Sequence, residues 1–168
     1  MRGRKDGTLS DQETGPETGR AGETVGFGHV GLCVSDLDRS RRFYVEGLGF
    51  ELMNGIDVPD SPADRLLRLE PPLGLRAEYL AKGGFVLELT HFDREANPPA
   101  AERVMNEPGL THLSLSVDDV SAVAGRVEAL GGQVLRDTDV GGGIFLRDPD
   151  GQLIELYPAG YRRFLYGR

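Results

Sequence analysis

Two of the three histidines in this 168-residue chain stand at matching points of two similar segments. GHVGLCVSDL (28–37) overlays THLSLSVDDV (111–120), which sets His29 on His112; GFVLEL (84–89) overlays GQLIEL (151–156), which sets Glu88 on Glu155. Both glutamates interrupt apolar strand ends, FVLEL and LIELY, where a carboxylate is costly to bury without a cation or a donor. A lone histidine in a strand is ordinarily a hydrogen-bonded core residue, and a lone glutamate at a strand end a solvated charge. Recurrence of both in both halves favours a different reading, in which each half supplies half of one site. Two imidazoles and two carboxylates suit one divalent metal: Zn, Ni, Co, Mn or Fe(II).

The segments that carry these residues have strong periodicities. In HVGLCV, Val30, Leu32 and Val34 share one face, and His29, Gly31 and Cys33 the other. Ser35 or Asp36 then caps a helix running to about Glu46, stopped by Gly47 and Gly49. Strand-like runs follow at FELMN, LLRLE, LRAEYL and FVLELTHF, separated by PPLG and KGG. The second half repeats the order. THLSLSV places Leu113, Leu115 and Val117 opposite His112, Ser114 and Ser116, and Asp118 or Asp119 caps a helix with Val120, Val123, Val127 and Leu130 on one stripe. QVLRD, GIFLRD and QLIELYP complete it, with DPDG (148–151) as a hairpin turn.

The histidine-to-glutamate spacing is 59 residues in the first half and 43 in the second, so the first carries 16 more, assigned to the 51–82 stretch. The expected fold is α+β: two tandem βαβββ modules forming a cupped, partly open mixed β-sheet barrel with helices outside. Edge-to-edge pairing of the modules would bring His29, Glu88, His112 and Glu155 together on a concave face. Small neighbours on that face, Gly31, Cys33, Ser114 and Ser116, would leave room for a ligand. His91, three residues after Glu88, points the other way and reads as a packing or surface residue, and the Phe43–Tyr44 pair reads as core.

Composition narrows the class. With 39% hydrophobic residues the chain can fill a core, while a net charge of −8 and a pI near 4.9 argue against nucleic acid or an anionic membrane as partner. No run approaches the roughly 20 apolar residues of a membrane span, and the opening residues lack the apolar segment of a signal peptide. One cysteine, Cys33, precludes an intrachain disulfide and fits a reducing cytoplasm. The expected organisation is a flexible tail over 1–24 and a single domain over 25–160. That domain comprises module one (26–92), a linker (93–109) and module two (110–158), and a basic, aromatic tail follows over 161–168.

HVGLCVSDLDRSRRFYVEGLGF, FVLEL, THLSLSVDDV and DPDGQLIEL, in that order, resemble the vicinal oxygen chelate superfamily of glyoxalase I, methylmalonyl-CoA epimerase, extradiol dioxygenases and bleomycin-type resistance proteins. The resemblance covers residues 26–158. It implies paired βαβββ modules around one divalent metal, a small-molecule substrate and a homodimer. By position, His29, Glu88, His112 and Glu155 match the four-ligand set of the glyoxalase I type. The implied activity is that of a metal-dependent lyase, epimerase or isomerase moving a proton next to a carbonyl, with Glu155 as base and Glu88 on the opposite side, placed to serve the other face in an epimerisation. Cys33 stands where glutathione-dependent members carry arginine, and Phe92 where they carry asparagine, which implies a different, more apolar substrate beside those two residues. Two alternatives are an antibiotic-binding resistance protein without chemistry and a non-haem Fe(II) dioxygenase using His29, His112 and Glu155.

Overall fold

The computed structural model describes residues 25–94 and 104–161. The expected 1–24 tail, most of the linker and residues 162–168 lie outside these ranges. Module one runs β1 (Val30–Cys33), α1 (Leu37–Arg42), a π-helical turn (Phe43–Gly47), β2 (Glu51–Val58), α2 (Asp60–Leu67), β3 (Leu75–Lys82) and β4 (Phe85–Phe92). Module two runs β5 (Leu113–Val117), α3 (Val120–Ala129), β6 (Gln133–Leu135), β7 (Ile144–Arg147) and β8 (Leu153–Pro158). Each forms a four-stranded mixed sheet, β1-β4-β3-β2 and β5-β8-β7-β6, with its first strand parallel to its last. This is the tandem βαβββ arrangement, built of two open sheets.

The repeat extends to the caps. Asp36 accepts the Arg39 N–H at 2.9 Å and Asp119 accepts the Ala122 N–H at 2.9 Å, each satisfying an orphan donor of the first helical turn. The 16 extra residues of module one include α2. The run LLRLE, expected as a strand, instead ends this helix: Arg68 adopts a left-handed conformation (φ 56°). Pro71 and Pro72 follow, and neither can donate to a ladder. Asp60 accepts the Leu73 N–H at 2.8 Å, and Ala63, Leu73 and Leu75 then bury a small cluster with Val58 and Phe92.

One hydrophobic core joins the modules. Leu87 and Leu89 of β4, Ile154 and Leu156 of β8, Phe43 and Tyr44 after α1, and Val127 of α3 are all completely buried in it. Gly132 sits where the helix layer meets β7; a Cβ there would come within 2.6 Å of the Phe43 ring. Polar contacts cross the same seam. Tyr44 Oη donates to Asp148 Oδ2 at 2.9 Å, while Asp148 Oδ1 accepts the N–H groups of Asp150 (2.9 Å) and Gln152 (2.8 Å). Burial pushes the Tyr44 hydroxyl well above its ordinary pKa, and likewise raises the Asp148 carboxyl. At the surface, Asp150 takes hydrogen bonds from Ser35 and Arg39.

Replacing Tyr44 by Phe deletes the only side-chain donor among the described residues on buried Asp148 while keeping the ring. Tyr44→Phe should therefore cost about 1.5–3 kcal/mol, the range for a hydrogen bond to a charged group, read as a lower midpoint in urea unfolding.

Candidate functional site

Strand pleating sorts the candidate residues. Leu87 and Leu89 face the common core, so Glu88 faces the other way; Ile154 and Leu156 do the same to Glu155. The parallel pairing sets Gly31 beside Glu88 and Ser114 beside Glu155. His29 Nε2 lies 3.1 Å from Glu88 Oε2, and His112 Nε2 lies 3.7 Å from Glu155 Oε2. Each sheet thus carries one histidine–glutamate pair on its outer face.

The structure does not unite the two pairs within one chain. The modules do not hydrogen-bond edge to edge, and their shared core lies on the reverse side of both pairs. Among the described residues, no three histidine, cysteine or acidic side chains form a metal-sized cluster. Each pair alone has the donor chemistry for half of a divalent-cation site, an imidazole nitrogen beside a carboxylate oxygen. Glycines keep both carboxylates uncrowded: a Cβ at Gly31 would lie 3.4 Å from Glu88 Oε2, and one at Gly143 would lie 3.7 Å from Glu155 Oε1. Thr111 Oγ1, 2.9 Å from His112 Nδ1, can accept the proton there and leave the Nε2 lone pair free for a cation.

Several neighbours were not singled out from sequence. Tyr79 of β3 donates its hydroxyl to Glu88 Oε1 at 2.7 Å, and its ring meets His29 edge-on at 5.7 Å. That bond raises the phenol's pKa, because ionisation would set two negative charges side by side. Phe145 of β7 holds the equivalent place opposite Glu155 and packs edge-on against His112 at 5.4 Å. Hairpin counting was the available signal: a turn at Gly83–Gly84 pairs Lys82 with Phe85, which leads back to Tyr79 opposite Glu88. Tyr157 is buried on the outer face beside Ser116, with Tyr161 against it at 6.0 Å.

The expected pocket residues divide. Gly31, Ser114 and Ser116 flank the glutamates or their strand, and Ser114 Oγ donates to Glu155 Oε2. Cys33 lies two residues along from Gly31 on the same face, beside Thr90. Phe92 is packed into the small cluster with Val58 and Leu75. His91 takes the core-side direction, its Nδ1 3.1 Å from the Val34 carbonyl.

Comparison with known proteins fixes the family. The model for the Glyoxalase/Bleomycin resistance protein/Dioxygenase superfamily matches residues 26–156, and the chain belongs to that superfamily. A lactoylglutathione lyase of Arabidopsis thaliana is 34% identical over 139 residues, covering 80% of this chain and 44% of that protein. One from Pseudomonas putida is 32% identical over 145 residues, covering 77% and 83%. The chain spans less than half the length of the plant relatives it matches. Among solved structures, the trypanothione-dependent glyoxalase I of Leishmania major aligns with a TM-score of 0.62 at 24% identity, covering 83% of this chain and 90% of that one. A glyoxalase family protein of Bacillus cereus aligns with a TM-score of 0.69 at 20% identity, covering 83% and 98%. These two likenesses establish the fold. No described helix is long and apolar enough to cross a membrane.

Although the Cys33 side chain is exposed, desolvation by its neighbours raises the thiol's pKa, with Asp150 adding to the effect. Alkylation by iodoacetamide near neutral pH should therefore run slower than for free cysteine. Its rate should rise through a midpoint above the ordinary thiol value.

Proposed function

We propose that this chain is a divalent-metal-dependent lyase or isomerase of the glyoxalase type, moving a proton at the carbon next to a carbonyl of a small-molecule substrate. The observation that carries the reading is the matched pair of outward-facing half-sites, His29 with Glu88 and His112 with Glu155. Relatives named lactoylglutathione lyase support the reaction class. We further propose that a second copy of the chain completes each site, the first module of one chain meeting the second module of the other. β2 supports such a partner: it is an edge strand, exposed along nearly all its length, with Leu52, Met53 and Ile56 open to solvent.

In this reading His29, Glu88, His112 and Glu155 hold one cation. Bound there, it supplies the positive charge that makes a C–H beside a carbonyl acidic enough for a carboxylate to deprotonate. Glu155 takes the proton on Oε1, the oxygen that faces Gly143, and returns it to the neighbouring carbon on the same face. Ser114 steadies the carboxylate through Oε2. Cys33, and Phe92 packed beneath α2, stand where glutathione-dependent members carry arginine and asparagine, and neither can make those polar contacts. We therefore assign a substrate whose non-reacting part is apolar. The chain would act as one domain over residues 25–160, in the cytoplasm.

The test uses His29→Ala and His112→Ala proteins refolded alone and together, with nickel content as readout. Each variant alone should lose its metal. The mixture should regain about one quarter of the wild-type content, since half of the dimers would be mixed and each would hold one intact site of two. Metal in the wild type without regain in the mixture would place each site within one chain. A wild type that binds no metal after reloading would remove the metal reading altogether. Glu155→Gln should leave the fold intact, by circular dichroism, and abolish solvent-deuterium exchange into any substrate found; undiminished exchange would remove Glu155 as the base.

A further inference from the structure

Each glutamate has two cross-strand neighbours, and the modules differ at both. Glu88 lies between Gly31 of β1 and Tyr79 of β3; Glu155 lies between Ser114 of β5 and Phe145 of β7. Each carboxylate thus receives one hydroxyl, but from opposite sides. The oxygens are engaged differently as well. In Glu88 the Tyr79 hydroxyl takes Oε1 at 2.7 Å while Oε2 faces His29 Nε2 at 3.1 Å, so both oxygens are committed. In Glu155 the Ser114 hydroxyl takes Oε2, the same oxygen that faces His112 Nε2 at 3.7 Å. Oε1 looks toward Gly143, and no donor among the described residues reaches it. The two donors also differ in freedom. Tyr79 is part-buried with its ring against His29, whereas a serine hydroxyl can rotate.

Resting on the metal reading above, we infer that Tyr79 is a positioning residue that fixes Glu88 as a ligand through one oxygen and keeps it out of proton transfer. The modules are then functionally unequal. Module one supplies an anchored ligand pair, and module two supplies the pair whose carboxylate retains a free oxygen for the proton. Loss of the Tyr79 hydroxyl releases Glu88 Oε1 and lets the carboxylate swing, which alters how it meets a cation without removing any ligand.

The test is Tyr79→Phe in the full chain, stripped of metal and titrated with Co(II), which reports its own ligand geometry through visible absorption. The expected result is at least a tenfold higher Kd for Co(II), in line with the roughly 10–100-fold effect of ligand-orienting partners. The visible bands should shift, while the metal-free variant melts within about 2 °C of wild type. A variant with wild-type Kd and an unchanged Co(II) spectrum would overturn the role of Tyr79 and leave the metal reading standing. A wild-type chain that binds no Co(II) would overturn both.

Discussion

Burial of the leucines and isoleucines that bracket the two glutamates governs much of this architecture. A strand offers alternate side chains to alternate faces, so committing Leu87, Leu89, Ile154 and Leu156 to one shared interior turns Glu88 and Glu155 away from it. A one-residue slip would reverse every assignment, driving two carboxylates into an apolar core and exposing four large apolar groups. Each such carboxylate would face a desolvation cost of several kcal/mol without a partner. The same constraint explains why the half-sites lie apart within a chain. Modules that pack back to back cannot also bring their outer faces together.

Within that constraint, polar contacts set the relative placement of the modules. Buried Asp148 is held from both sides of the seam, by the Tyr44 hydroxyl and by the amides of its own turn, and Arg126 reaches the Gly47 carbonyl at 3.0 Å. Apolar burial is non-directional and would tolerate sliding of one module on the other. Hydrogen bonds of defined length tolerate much less.

Much of this was legible in the residue order, and the reasons are local. Alternation around His29 and Glu155 is a property of a few neighbouring residues, and the Asp36 and Asp119 caps follow from side-chain chemistry next to an apolar stripe. Other features depend on distant parts of the chain. LLRLE has strand-like composition, but Asp60, two prolines and the small cluster under α2 make it the end of a helix. Whether the modules join by edges or by faces is invisible to periodicity, because both arrangements bury the same alternate residues. Tyr79 lay within reach of hairpin counting, yet its meaning emerges only when the phenol is seen on one glutamate and a serine on the other.

The shared core also makes the two halves depend on each other. A module alone would leave part of this interior bare, Phe43 and Tyr44 in the first case and Val127 in the second. Carrying both modules on one chain replaces concentration-dependent association of separate halves with a tether, and it lets the two cradles carry different side chains, which two identical subunits could not. The tyrosine opposite one carboxylate and the phenylalanine opposite the other are such a difference.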